Sequence, residues 1–225
     1  MSDAILLDIE GTLSSQRFVA RELWAYSHAH LADFVAAHGN EPEVAAQLAA
    51  TLALAGGGAG GGDPVAILRG WIDQDRKAPP LKAIQGLMWS QGFTSGALRG
   101  HVFADAAAAL RRWHAAGVPA WIFSSGTVRT QREFFAHTQE GDLTPLLRGH
   151  FDTAMGAKVE SDSYRRITAA IGAATERVLF VSDNPRELEA AQAAGLRVIQ
   201  MVREDTVADG RFAQASDFGQ IASDA

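Results

Sequence analysis

The chain has 225 residues, a formal net charge of −6, 47% hydrophobic and 20% charged residues, and no cysteine, the profile of one good-sized globular domain or a domain carrying an insertion. The acidic balance excludes a general nucleic-acid or anionic-membrane footprint, and the missing cysteines exclude disulfides and thiolate metal sites. No apolar run is long enough to span a bilayer, and the first strand starts too close to Met1 for a leader, so a cytoplasmic monomer is expected.

In chain order, Ile5, Leu6 and Leu7 read as the tail of a buried strand that runs straight into Asp8 and Glu10. Two acids there repel, and burying either costs several kcal/mol unless something neutralises it. Residues 14–98 then favour helix in four stretches, RELWAYSHAHLADFVAAHG, PEVAAQLAATLALAG, PVAILRGWIDQDRK and PPLKAIQGLMWSQGF, with no strand between them. This predicts a helical cap domain inserted after the first strand. The glycine run at 56–63 lacks the Lys-Ser/Thr of a phosphate-binding loop and reads as a connector.

From residue 99 onward helix and strand alternate. ADAAAALRRWHAAG has Asp105 as the expected N-cap and Gly117 as the C-cap. AWIF runs into Ser124 and Ser125, and a helix follows through TVRTQREFFAH. GHFDTAM reads as a short strand before a loop with Lys158, then the helix SYRRITAAIG. RVLFVSDN is an apolar strand ending in Asp183, followed by PRELEAAQAAG and the strand LRVIQMV. Near-continuous apolar strands alternating with helices predict an α/β fold, a Rossmann-like parallel sheet core from residues 1–13 and 99–225 with the 14–98 helical cap.

Ligands of such sheets bind beyond the carboxyl ends of the strands. Asp8, Glu10, Ser124, Ser125, Lys158 and Asp183 all fall there. Singly, an Asp or Ser after a strand is usually a cap and a loop Lys is solvated; their joint placement carries the argument. The set suits phosphoryl transfer. Asp8 and Asp183 can hold Mg2+, a hard cation that binds through one or two carboxylates plus phosphate oxygens. An Asp can attack phosphorus and form an aspartyl-phosphate. Glu10, two residues on along an extended segment, can face the same centre and move a proton. Ser124, with N–H groups at a helix start, can bind phosphoryl oxygens, and Lys158 can stabilise transition-state charge.

DIEGT, a strand ending in Ser-Ser-Gly, the downstream Lys158 and SDN together resemble the four motifs of the haloacid-dehalogenase superfamily. LKAIQGLMW, GHVFAD, SSGTVRTQ, GDL with GHFDT, and GAKVESDSYRRI resemble, within it, the enolase-phosphatases of methionine salvage, over roughly residues 4–15 and 71–202. The resemblance implies Asp8 as nucleophile and metal ligand, Glu10 as the second acid, Ser124 and Ser125 as the substrate-binding pair, Lys158 as the motif lysine and Asp183 as the remaining metal ligand. The implied metal set is Asp8, Glu10 and Asp183 around one Mg2+ per subunit. It also implies enolisation and dephosphorylation of 2,3-diketo-5-methylthiopentyl 1-phosphate. The Glu at position 10 matches the enolase-phosphatases, where most of the superfamily carries Asp. Asn184-Pro185 and Thr127 depart mildly from the pattern without removing a role-bearing group.

Rival readings are a capped phosphatase of another small phosphomonoester, a metal-free dehalogenase, and a catalytically silent binding protein on the same scaffold. The seven histidines lack metal-ligand spacing, and His28 and His30 fall on different sides of a helix. His101 and His137 lie in family-like segments and could position substrate or loops. Trp24, Trp71 and Trp89 are expected to fill the cap core. The DFG at 217–219 is a coincidence, because nothing else of the kinase signature accompanies it.

Overall fold

The computed structural model describes residues 4–56, 62–203 and 205–221; the centre of the glycine run, and with it the connector expected there, lies outside the described residues. β1 (Ala4–Leu7) is followed by a single turn, α1 (Gln16–Phe18), then a π-helical stretch (Val19–Leu23) leading into α2 (Trp24–His38). α3 (Pro42–Leu54), α4 (Pro64–Asp73) and α5 (Pro79–Ser95) each open on a proline, whose fixed φ and missing N–H suit a helix's first turn. α6 (Ala104–Ala115), β2 (Ala120–Phe123), α7 (Val128–Ala136), β3 (Leu147–Phe151), α8 (Ser161–Ile171), β4 (Val178–Ser182), α9 (Pro185–Ala193), β5 (Arg197–Met201) and β6 (Gln214–Ala215) complete the order. Among the described residues no helix is long and apolar enough to cross a membrane.

The six strands form one parallel sheet in the order β3-β2-β1-β4-β5-β6. β1 pairs with β2 on one side and β4 on the other, so strand order reverses at the centre, where open α/β sheets bind ligands. β1 and β4 are buried throughout, as their unbroken apolar sequences require. Leu6, Phe123, Tyr164, Ile167, Phe180 and Leu188 pack into one core.

The chain divides into two compact units, one from Met1–Phe18 with Arg99–Ala225, the other from Val19–Leu98. The division falls at Val19 rather than at residue 14 because the intervening residues bond within the sheet unit. Ser15 N–H donates to His101 Nδ1 at 3.1 Å, and Phe18 stacks on His101. The second unit has its own core around Leu31, Phe34, Leu68, Trp71, Ile84 and Met88. Of the three tryptophans expected there, only Trp71 is buried in that core. Trp89 is half-buried because its indole N–H donates to Leu23 O and Ser27 Oγ, and half-buried Trp24 lies under the Lys77 ammonium.

Three local expectations are corrected. Asp105 is not the N-cap of α6, a place taken by Phe103 without a side-chain bond; its carboxylate accepts instead from Arg203 at 2.8 Å and from Phe218 N–H at 2.9 Å. The third strand covers Leu147–Phe151 rather than 149–155, because Asp152 caps a turn at Thr153–Met155. β6, only two residues long, was not expected. At 217–219 Asp217 caps a turn and Phe218 is buried edge-on to Trp113.

Candidate active site

Four strand ends build the site. Asp8 follows β1, Ser124 and Ser125 follow β2, Lys158 lies beyond β3 in the loop before α8, and Asp183 follows β4. All of them, with Glu10, line one cavity of about 630 Å3. Asp8 and Asp183 are buried. The Lys158 ammonium lies 2.5 Å from Asp8 Oδ1 and 2.6 Å from Glu187 Oε2. Ile9 N–H donates to Asp8 Oδ1 at 2.8 Å, while Ser182 Oγ stands 3.2 Å from both Asp8 Oδ2 and Glu187 Oε2. The Asp8 carboxylate is therefore held on both oxygens.

The reversal of the chain after β1 makes room for this. Gly11 has φ +74°, and a Cβ there would collide with the Asp183 carboxylate, so the turn demands a residue with neither a φ penalty nor a side chain. Thr12 Oγ1 accepts from Asp183 N–H at 2.9 Å, and Gln16 Nε2 donates to Asp183 Oδ2 at 2.6 Å. The residues just after Asp8 thus orient Asp183 across the sheet.

Sequence reasoning missed Glu187. It sits in the first turn of α9, one helical turn beyond Asp183, and is buried; the acid at that spacing in SDNPRE was the available signal. Gln16 and Thr12 were also missed, since neither is a strand-end acid or base.

The electrostatics follow from burial. Burial, then the nearby Asp8 charge, pushes Asp183 up to about 7 against the pull of the Gln16 hydrogen bond. The same two causes raise Glu187 to about 7, with Lys158 opposing them. Burial alone would lower the Lys158 ammonium, but Asp8 and Glu187 outweigh it and its pKa is raised. Ionised, the three carboxylates leave the cluster two negative charges in excess of Lys158. A divalent cation at Asp8 and Asp183 fits that excess, in the way Mg2+ binds through two carboxylates with other oxygens completing its shell.

Among the described residues no group of three acidic or histidine side chains could by itself hold a metal ion. β1 ends at Leu7, and the exposed Glu10 lies in a turn bridged to Ser14, beyond the extended segment expected to aim it beside Asp8. At the start of α7, Val128 N–H donates to Asp152 Oδ2 and Thr130 N–H to Thr127 Oγ1. His101 accepts from Ser15 N–H and steadies the turn, with its pKa lowered chiefly by burial. His137 bonds within its own helix, 2.9 Å from Glu133 O.

A parallel sheet in this strand order, with an Asp after the first strand, a serine pair, a buried lysine and a second Asp converging beyond it, defines a hydrolase class. The chain belongs to the haloacid dehalogenase-like hydrolases, whose family model matches residues 2–195. More particularly, it is 50% identical over 220 residues to the enolase-phosphatase E1 of Bradyrhizobium sp., covering 98% of this chain and 94% of that one. It is 49% identical to the enolase-phosphatase E1 of Pseudomonas aeruginosa over 95% of each chain. Among solved structures it is similar to the UTR4 protein of Saccharomyces cerevisiae, with a TM-score of 0.80 and 28% identity, covering 98% of this chain and all of that one.

Proposed function

We propose that the chain is a Mg2+-dependent enolase-phosphatase that enolises 2,3-diketo-5-methylthiopentyl 1-phosphate and releases its phosphate in methionine salvage. The carrying observation is the Asp8–Lys158 contact at 2.5 Å, in a cavity lined by a serine pair and a second buried Asp. The near-full-length identity to enolase-phosphatases E1 supports the same substrate.

In this reading the Asp8 carboxylate attacks phosphorus, the bond from phosphorus to the enol oxygen breaks, and an aspartyl-phosphate forms. Lys158 and the Ile9 N–H fix the rotamer of the nucleophile, and Lys158 faces the charge that develops on the phosphoryl oxygens. Ser124 and Ser125 hold those oxygens. Glu10 donates a proton to the leaving oxygen, then accepts one from the water that opens the acyl phosphate. Asp8 and Asp183, with the main-chain oxygen of Glu10, would hold one Mg2+, which when bound offsets the carboxylate charge and supplies Lewis acidity for enolisation. The Val19–Leu98 unit is assigned the part of the cap, and the enzyme acts as a cytoplasmic monomer.

The test is to assay the purified protein with Mg2+ on the diketo phosphate and on a panel of sugar phosphates, recording ultraviolet absorbance of the enol and phosphate release. An absorbing intermediate followed by phosphate is expected. Turnover of sugar phosphates with no such intermediate moves the protein to the phosphatases of other small phosphomonoesters. Glu10→Asp is expected to slow one half-reaction more than the other; equal slowing removes the special part given to the longer acid.

A further inference from the structure

One wall of the cavity is formed by residues 205–210, a segment without regular secondary structure that follows β5. Its sequence is DTVADG, and its two acids are engaged: Asp205 with Arg17 at 2.6 Å, Asp209 with Arg211 at 2.5 Å. Its main chain is held by Gln200 of β5, which is fully buried. Gln200 Nε2 donates to Val207 O at 3.0 Å and to Asp183 O at 3.1 Å, and Gln200 Oε1 accepts from Asp209 N–H at 2.7 Å. Both N–H bonds and the carbonyl of the amide are thus used. A buried amide must find such partners, so Gln200 ties the wall to the main chain of Asp183 itself.

On this held segment Val207 is 85% exposed, against 47% and 46% for Leu54 and Val159. An exposed valine on a slack loop needs no explanation. Val207 differs, because its own carbonyl is pinned by a buried amide and it borders a cavity otherwise rich in carboxylates and hydroxyls. An apolar side chain fixed in water beside a polar site is preorganised to receive apolar ligand surface.

We propose that residues 205–210 are a specificity wall, with Val207 the specificity-determining side chain that takes up an apolar portion of the substrate and Gln200 the positioning residue that sets the wall against Asp183. This rests on the functional reading above, in which the phosphate lies at Ser124 and Lys158 and the methylthio end is the apolar portion.

A double-mutant cycle tests it, pairing Val207→Ser with removal of the methylthio group from the substrate (2,3-diketopentyl 1-phosphate). In wild type, truncating the substrate lowers kcat/KM by about tenfold more than in Val207→Ser, the worth of burying about two methyl groups. The change appears mainly in KM, and inhibition by inorganic phosphate is the same in both proteins. Gln200→Met, which keeps length but has no donors, loses the same discrimination against the truncated substrate. Because Val207 is exposed, Val207→Ser keeps the wild-type thermal midpoint and decides the matter even if Gln200→Met misfolds. Equal truncation penalties in wild type and Val207→Ser overturn the wall. A wild type inactive on both diketo phosphates overturns the functional reading and the substrate assignment of the wall with it.

Discussion

Lys158→Met removes the ammonium that faces Asp8 at 2.5 Å and Glu187 at 2.6 Å, while methionine keeps the length and volume of the stem. Stripping one partner from a buried pair costs about 3–5 kcal/mol when the remaining charges stay ionised. Here the acids have an escape by taking up protons. Glu187 is pushed up to about 7 by burial and Asp8 even with Lys158 opposing, and without the lysine it rises further. A carboxyl whose pKa is higher folded than unfolded holds protons better in the folded state, so stability falls as pH rises as far as the folded value. Wild type therefore levels off above about 7, whereas the variant keeps losing stability to pH 8.5. That interval of 1.5 units is worth about 2 kcal/mol. Urea unfolding in EDTA should show the variant less stable than wild type by about 4 kcal/mol at pH 8.5 and about 2 kcal/mol at pH 6. Losses equal at the two pH values, or no loss at pH 8.5, would refute the coupling of Lys158 to Glu187. Turnover should fall by about 100-fold or more, as when one preorganised transition-state donor is removed.

Asp8→Asn should abolish phosphate release while the protein still folds, since the amide matches the carboxylate in size but cannot attack; near-wild-type turnover would disprove the nucleophile. Excess EDTA should stop turnover and Mg2+ restore it. At pH 8, above the folded values near 7 of Asp183 and Glu187, Mg2+ should also raise the thermal midpoint by mass action, and an unchanged midpoint would count against the two-carboxylate site. Asp105→Ala should cost about 2 kcal/mol by leaving Arg203 without its carboxylate partner. The Asp105 pKa is lowered despite burial, because the Arg203 and Phe218 hydrogen bonds outweigh it. Wild type should therefore lose the benefit of Asp105 as pH falls below the ordinary carboxylate range, a loss the alanine variant does not show in acid unfolding.

The sheet was legible wherever a strand is buried on both faces, since AILL and VLFVS admit no other economical placement. β6 was not, because the pair Gln214–Ala215 carries no apolar run and exists only by pairing with Gln200 and Met201. Of the site, the strand-end acids, hydroxyls and Lys158 could be read because the fold brings strand ends together regardless of the loops between. Glu187 and Gln16 could not be found that way: each acts through a partner distant in sequence, Lys158 and Asp183, and the one local sign, an acid one helical turn beyond Asp183, gains meaning only once Lys158 is seen to face it. Asp105 failed as a cap for the same reason. Its local propensity was sound, but Arg203, brought in by β5, offered the carboxylate a stronger partner.

The insertion of a whole helical unit between β1 and β2 also orders events in time. Ile5 pairs with Ala120 on one side and Leu179 on the other, so on the ribosome β1 waits for partners while the self-contained Val19–Leu98 segment emerges with its own core. Local contacts close quickly and distant parallel pairings slowly. The helical segment is thus placed to finish folding first, and β1 to be flanked on both sides only once β2 and then β4 have emerged. Until then the acids at its tip stay in water, where their repulsion is screened, and Asp8 is buried only when Lys158 and α9 have been made.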